Sequence, residues 1–197
     1  MKHLDWGRNS LILNCTGNMF TFDALYREAV QNCRRGGLLI EVGVWTGHSL
    51  SYLTVEAANA EKDIRVFGVD VFAGNIYSAD GKDGAVQMER LAQNLAPVWP
   101  LFGLVKAKSA EAAPMFQQAD MVFVDGDHSY AEVSADLEAW YPVVRDGGIF
   151  AGHDIHLPDV TIAVAEFASR HGLKVTTYGE EKDSGYGYCW VLKKGIV

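Results

Sequence analysis

Residues 38–49 have the sequence LLIEVGVWTGHS, in which an apolar run ends at two glycines four positions apart. The run predicts a buried strand, and Leu50 and Leu53 behind it have the spacing of one helix face. Gly43 and Gly47 let the backbone turn tightly and let a ligand approach the start of that helix. The stretch therefore predicts a strand, a binding loop and a helix in succession.

Similar strand-like runs recur along the chain at Arg65–Val69, Leu101–Ala107, Met121–Val124 and Gly148–Ala151. Helical spacing of apolar residues is found at Phe22–Cys33, Val133–Val144 and Val160–Phe167. Strands that alternate with helices predict βαβ units and a parallel sheet. Leu173–Thr177 and Tyr186–Leu192 are joined only by a loop and should pair antiparallel. The predicted fold class is α/β, a Rossmann-like, doubly wound, seven-stranded sheet that is mostly parallel with an antiparallel C-terminal hairpin strand.

Length and charge restrict the classes of function. A chain of 197 residues is expected to form one domain, here with residues 22–192 as core and 1–21 as an N-terminal extension. The net charge is −8 and the basic residues are scattered, so neither nucleic acid nor an anionic membrane is an expected partner. No apolar run approaches the roughly 20 residues of a membrane span. Three distant cysteines and an N-terminus unlike a signal peptide favour the cytoplasm.

Polar residues follow each predicted strand of the parallel sheet. Beyond the glycine loop, they are Asp70, the segment 108–111 (KSAE), the segment 125–128 (DGDH) and the segment 152–156 (GHDIH). In an open α/β sheet these positions share the edge at which ligands bind. Each one alone could be a turn glycine, a helix cap, a solvated acid or a buried histidine. Their common location favours a nucleoside-containing ligand beside a reaction centre.

The loop narrows the choice of ligand. Trp45 interrupts the GxGxxG pattern of dinucleotide sites, and no Lys-Ser/Thr pair follows Gly47 as it would in a P-loop. Asp70 stands 27 residues after Gly43, where a carboxylate can accept hydrogen bonds from ribose hydroxyls. A ligand with ribose and adenine but no phosphate is expected, and S-adenosylmethionine (SAM) fits this description.

Three segments carry a resemblance to a known family: EVGVWTGHS at 41–49, GVDVF at 68–72 and FVDGDHSYAEVSADLEAWYPVVRDGGIFAGHD at 123–154. They resemble class I SAM-dependent methyltransferases. More narrowly, the chain is similar over residues 22–192 to the small O-methyltransferases, which include catechol and caffeoyl-CoA O-methyltransferases. The bacterial macrocin and mycinamicin sugar O-methyltransferases and the cephalosporin-hydroxylase-like proteins are the most similar group.

The resemblance implies a set of cofactor-binding residues. Those of the loop are Glu41, Gly43, Trp45, Gly47 and Ser49; Asp70 would hold the ribose, and Val71, Ser109 and Ala110 would border the adenine.

The resemblance also implies a divalent cation, bound by Asp125 and by the pair His153 and Asp154. Relatives more often have an acid at the position of His153, and Mg²⁺ prefers oxygen ligands. Mn²⁺, Fe²⁺ or Zn²⁺ accepts imidazole more readily, and a third alternative is that His153 is not a ligand. His128 matches the position of the catalytic base; the alternative is a structural contact with the next helix. Asp127 and His156 are weaker candidates for contacts with the substrate.

The function predicted is transfer of a methyl group from SAM to a hydroxyl of a small, polar acceptor, assisted by a divalent metal. The segments Phe72–Gly84, Ile155–Pro158 and Glu180–Tyr188 should line the acceptor pocket. Such short loops leave open a homodimer in which a second subunit completes the site. Two alternatives remain: a metal-dependent hydrolase that uses the Asp and His clusters, and a SAM-binding module without catalysis.

Overall fold

The computed structural model describes residues 20–73, 83–178 and 187–195. Its strands are β1 (Leu38–Val42), β2 (Arg65–Asp70), β3 (Gly103–Lys106), β4 (Ala119–Val124), β5 (Val144–Gly152), β6 (Val175–Thr177) and β7 (Trp190–Lys193). Its α-helices are α1 (Asp23–Asn32), α2 (His48–Asn59), α3 (Asp83–Leu95), α4 (Ser109–Ala112), α5 (Tyr130–Trp140) and α6 (Pro158–Arg170). Residues 74–82 and 179–186, in the loops predicted to line the acceptor pocket, lie outside the described ranges.

The strands form one seven-stranded sheet in the order β3-β2-β1-β4-β5-β7-β6. Strands β1 to β5 are parallel to their neighbours, whereas β7 is antiparallel to both β5 and β6. This confirms the predicted fold class. The chain runs outward from β1 through β2 to β3 and then returns to β4 on the other side of β1. The gap between β1 and β4 is therefore the switch point at which doubly wound sheets bind ligands.

Helices cover both faces of the sheet. Every residue of β1 and β4 is buried, as expected for strands with a helical layer on each side. One apolar cluster joins the sheet to α1, α2 and α3, and the other joins it to α4, α5 and α6. The carboxyl ends of the central strands therefore project from a rigid core.

The helix predicted to reach Val144 ends earlier. α5 stops at Trp140, a 3-10 turn follows at Tyr141–Val143, and Val144 is the first residue of β5. Pro142 explains the early end, because it has no backbone N–H to continue the α-helical ladder. In the parts of the chain that the structure describes, no helix combines the length and apolarity needed to cross a membrane.

A charged cluster closes the opposite, amino end of the sheet. Asp120 is 4% exposed, and its Oδ1 accepts hydrogen bonds from Arg34 Nε at 3.0 Å and Arg145 Nε at 2.6 Å. Its Oδ2 accepts one from the Leu38 backbone N–H at 3.1 Å. Burial raises the pKa of Asp120, but the bonds to Arg34 and Arg145 outweigh it and keep that pKa below its usual range. Asp120 thus ties the start of β1 to β4 and β5.

Candidate active site

Backbone hydrogen bonds bring together the carboxyl ends of β1, β4 and β5. The Asp125 N–H donates to the Val42 carbonyl at 2.7 Å, and the His153 N–H donates to the Val124 carbonyl at 3.1 Å. Gly43 has a positive φ of 89°, and a Cβ at this position would lie 2.0 Å from the Asp125 carbonyl oxygen. The glycine loop and the loop that carries Asp125 are therefore packed directly against each other.

Asp70 organises the glycine loop. Its Oδ2 accepts hydrogen bonds from the backbone N–H groups of Val44 and Trp45, each at 2.9 Å, and its Oδ1 accepts one from Phe72 N–H at 2.7 Å. Trp45 has the left-handed φ of 46° and a side chain 42% exposed. The predicted ribose acid therefore lies against the loop that is predicted to bind the same cofactor.

Helix α3 supports the loop from behind through two buried amides. Gln87 Nε2 donates to the Trp45 carbonyl at 3.1 Å, and Asn94 Nδ2 donates to the Thr46 carbonyl at 2.7 Å. Neither residue was predicted from the sequence. The sequence feature that could have indicated them is a pair of amide side chains, seven residues apart, on the apolar face of an amphipathic helix.

Glu41 lies under the loop with both carboxylate oxygens engaged. Its Oε1 accepts a hydrogen bond from Ser49 Oγ at 2.9 Å, and its Oε2 accepts one from the Tyr26 hydroxyl at 2.6 Å. Burial raises the pKa of Glu41 to about 8, and the two hydrogen bonds oppose this rise. Tyr26 was not predicted from the sequence as a site residue.

The predicted adenine side is anchored by Ser109, the first residue of α4. Its hydroxyl accepts a hydrogen bond from Trp140 Nε1 at 2.9 Å and also bonds to the buried carboxyl group of Asp136. Val71 and Ala110 have exposed side chains, as is needed for residues that border a ligand. The structure thus places all the predicted cofactor residues along the ends of β1, β2 and β3.

The two acids predicted to bind metal meet in one cluster with an imidazole. Asp125, His128 and Asp154 each offer a ligand atom, and these three atoms all lie within 4.8 Å of one another. The two carboxylates suit a divalent cation such as Mg²⁺ or Mn²⁺, and the His128 imidazole lies close enough either to be a third ligand or to act on a group bound beside them. Asp154 has a left-handed φ of 58°, a backbone conformation that aspartate tolerates better than most residues. The residues present therefore fit a divalent cation.

His153 lies beside the cluster. Its Nδ1 is 3.2 Å from Asp154 Oδ1 and 3.6 Å from Asp125 Oδ1, while the ring packs at 5.1 Å from the ring of Phe22. Its position favours a hydrogen bond that orients the Asp154 carboxylate and an electrostatic attraction to that of Asp125. His156, in the same loop, packs its ring against that of Tyr188, with the ring centroids 4.0 Å apart and the planes tilted by 40°.

The charges of this cluster perturb each other. Burial raises the pKa of Asp125, and the nearby Asp154 carboxylate adds to the rise. Burial also acts on Asp154, but hydrogen bonds from His128 and His153 outweigh it and keep the pKa of Asp154 well below its usual range. The bond from His128 Nε2 to Asp154 Oδ2, at 2.8 Å, raises the pKa of His128. Perturbed groups gathered at a sheet edge are typical of a functional site.

A family model described as a methyltransferase domain matches residues 40–155, which is more than half of the chain. The chain belongs to this methyltransferase family. The matched segment contains the glycine loop, Asp70 and the cation cluster, but it excludes α1 and β7.

Solved structures of other methyltransferases share the fold. The O-methyltransferase NovP is 17% identical with a TM-score of 0.68, and the match covers 89% of this chain and 80% of that one. The calicheamicin methyltransferase CalS11 is 20% identical with a TM-score of 0.63, over 89% of this chain and 78% of that one. At such identities the likeness demonstrates the fold alone. No curated protein sequence matched the chain.

Proposed function

We propose that this methyltransferase transfers the methyl group of SAM to a hydroxyl of a small, polar acceptor with the help of a divalent cation. The observation that carries the proposal is the packing of Gly43 against the Asp125 carbonyl, which puts the cofactor loop next to the cation cluster. NovP is an O-methyltransferase, and CalS11 is a TDP-rhamnose 3′-O-methyltransferase; both support a hydroxyl acceptor.

The binding residues act by positioning. Asp70 would accept hydrogen bonds from the ribose hydroxyls, and Glu41 would attract the cationic methionine end. The sulfonium methyl is already reactive, so alignment with the acceptor oxygen supplies much of the acceleration. Rigid strand ends, rather than mobile loops, hold these groups in place.

Asp125 and Asp154 would hold the cation, which lowers the pKa of a bound hydroxyl and orients it. His128 would remove the acceptor proton, since its side chain is 35% exposed and hydrogen-bonded to Asp154. The hydrogen bond that His128 Nε2 donates to Asp154 would hold the ring beside the cluster. His153 would help to keep the Asp125 and Asp154 carboxylates in position.

A pair of variants separates the two roles. Mn²⁺ binding would be followed by electron paramagnetic resonance, and turnover would be followed with SAM and a panel of hydroxylated acceptors. Asp125→Asn should lose Mn²⁺ binding and metal-dependent turnover, while keeping its affinity for S-adenosylhomocysteine (SAH). His128→Gln should keep Mn²⁺ binding and lose turnover by roughly 10²-fold or more. Full activity of Asp125→Asn would refute the role of the cation, and loss of Mn²⁺ by His128→Gln would make His128 a ligand.

Other parts of the proposal follow from the sequence. Residues 1–197 would form one methyltransferase domain, with 22–192 as its core and 1–21 as an N-terminal extension, that acts in the cytoplasm on a small-molecule substrate, without nucleic acid. A homodimer remains a prediction, to be checked by light scattering.

A further inference from the structure

Helix α1 contributes a side chain to the site although it precedes the segment that defines the family. Tyr26 is fully buried, and its hydroxyl donates to Glu41 Oε2 at 2.6 Å. The Tyr26 ring packs edge-on against Phe22 and Phe123, with ring centroids 5.1 Å away in both cases. The direction of the hydroxyl is therefore fixed by the core.

The surroundings of Glu41 are unusual for a buried acid. Both hydrogen-bond donors, Tyr26 and Ser49, are neutral, and the acids Asp125 and Asp70 add unfavourable charge. Within residues 20–73, 83–178 and 187–195, Glu41 forms no ion pair with a basic side chain. Because a buried carboxylate without a cation is costly, this arrangement is complementary to a positively charged ligand.

The two donors leave acceptor sites of the Glu41 carboxylate available to a ligand. An ionised carboxylate has about four acceptor sites, of which the Tyr26 and Ser49 hydroxyls occupy two. Without these donors the side chain could rotate, and its neutral form would be favoured further. The hydroxyls therefore hold the carboxyl group in one orientation below the glycine loop, and they lower its pKa towards the charged form that a cationic ligand would need.

We propose that Tyr26 is a positioning residue that holds Glu41 for the ammonium group at the methionine end of the cofactor. The inference rests on the proposed function, because it assumes that SAM lies in the glycine loop. It extends the site to α1, which lies outside the matched residues 40–155.

Two ligands test this inference without any catalysis. SAH has the amino-acid end, whereas 5′-methylthioadenosine has the same nucleoside and sulfur without it. By calorimetric titration, Tyr26→Phe should weaken SAH binding roughly tenfold, as expected for loss of a hydrogen bond to a charged group. Its affinity for 5′-methylthioadenosine should change less than about twofold. In turnover assays KM for SAM should rise, with little change in kcat.

A matched control is available on α2. Tyr52 is 8% exposed, and its hydroxyl accepts a partly buried hydrogen bond from Arg27 Nη1 at 2.7 Å, whereas the hydroxyls that donate to Glu41 are those of Tyr26 and Ser49. Tyr52→Phe should leave both affinities unchanged. If Tyr26→Phe folds poorly, Ser49→Ala removes the other donor and should show the same selective loss of SAH affinity.

The outcomes separate this inference from the proposed function. A wild-type protein that binds neither ligand would refute SAM binding itself. If the wild type prefers SAH but Tyr26→Phe weakens both ligands equally, or neither, SAM binding stands and the role of Tyr26 is wrong.

Discussion

At the scale of single residues, Glu41 links the site to stability. Its folded pKa of about 8 lies above the value of an unfolded glutamate, so the folded state retains a proton that the unfolded state has released. The free energy of unfolding should therefore fall as the pH rises from 5 to 8, by on the order of a few kcal/mol. Glu41→Gln should remove this part of the slope.

Urea denaturation at pH 5.5 and at pH 8 measures the effect. Glu111→Gln is the control, since Glu111 is exposed and its replacement should leave the slope of the wild type intact. Equal slopes for wild type and Glu41→Gln would contradict the prediction.

Whether a site residue could be predicted from the sequence depended on its position relative to the strands and helices. Asp70, Asp125 and Asp154 follow strands, and polar residues at such positions have no role in packing. Tyr26 stands one residue after Leu25 and four after Phe22, so its spacing is that of an ordinary core residue. Its hydroxyl partner Glu41 is on β1, 15 residues further along the chain, and no local pattern reveals such a pairing.

At the scale of elements, Gly43 joins two loops that follow different strands. Gly43→Ala should destabilise the fold by about 1–3 kcal/mol, because its Cβ would collide with the Asp125 backbone. The same change should weaken binding of SAH and of Mn²⁺ together, since both loops must move apart. Chemical denaturation and the two titrations measure these effects.

Gly36→Ala separates collision from backbone strain. Gly36 also has a positive φ, of 69°, but a Cβ there meets nothing within 4 Å. Its replacement should cost only about 1 kcal/mol and leave both affinities unchanged. If Gly43→Ala and Gly36→Ala lost the same amount of stability and affinity, the positive φ alone would explain the effect.

The order of the elements was only partly predictable. Alternation of apolar runs and helical spacing identified the parallel units, and the absence of a helix between the last two strands indicated their antiparallel pairing. The insertion of β7 between β5 and β6 was not predicted, because a hairpin may add to a sheet by either strand. Composition could have indicated the order of these two strands. The more apolar segment, WVLK of β7, occupies the interior position of the sheet, and VTT of β6 occupies the edge.

At the scale of the whole molecule, the two ends of the sheet have separate tasks. The Asp120 cluster at the amino end holds β1, β4 and β5 together, whereas the carboxyl end carries the candidate site. Asp120→Asn should lower the free energy of unfolding by roughly 2–4 kcal/mol, because it removes the carboxylate that pairs with the mostly buried Arg145 guanidinium and with the half-exposed Arg34. The affinity for SAH should stay within about twofold of wild type, because Asp120 lies at the amino end of β4 whereas the candidate site lies at the carboxyl end of the sheet.

The pH dependence of the free energy of unfolding gives a second test of the role of Asp120. Its pKa is lowered in the folded state, so its contribution to stability is present above the unfolded pKa of about 3.9 and is lost as the pH falls further. Arg35→Ala is a control, since its ion pair with Asp63 is exposed. A large loss of SAH affinity in Asp120→Asn would show that the two ends are coupled.

The interior position of β7 also has a consequence for biosynthesis. This strand follows all the others in the sequence, so the edge of β5 stays open on the ribosome until Trp190–Lys193 has emerged. An open edge is a template for pairing with other chains. A nascent chain stalled before Trp190 would thus carry both an incomplete sheet and an exposed site for aggregation.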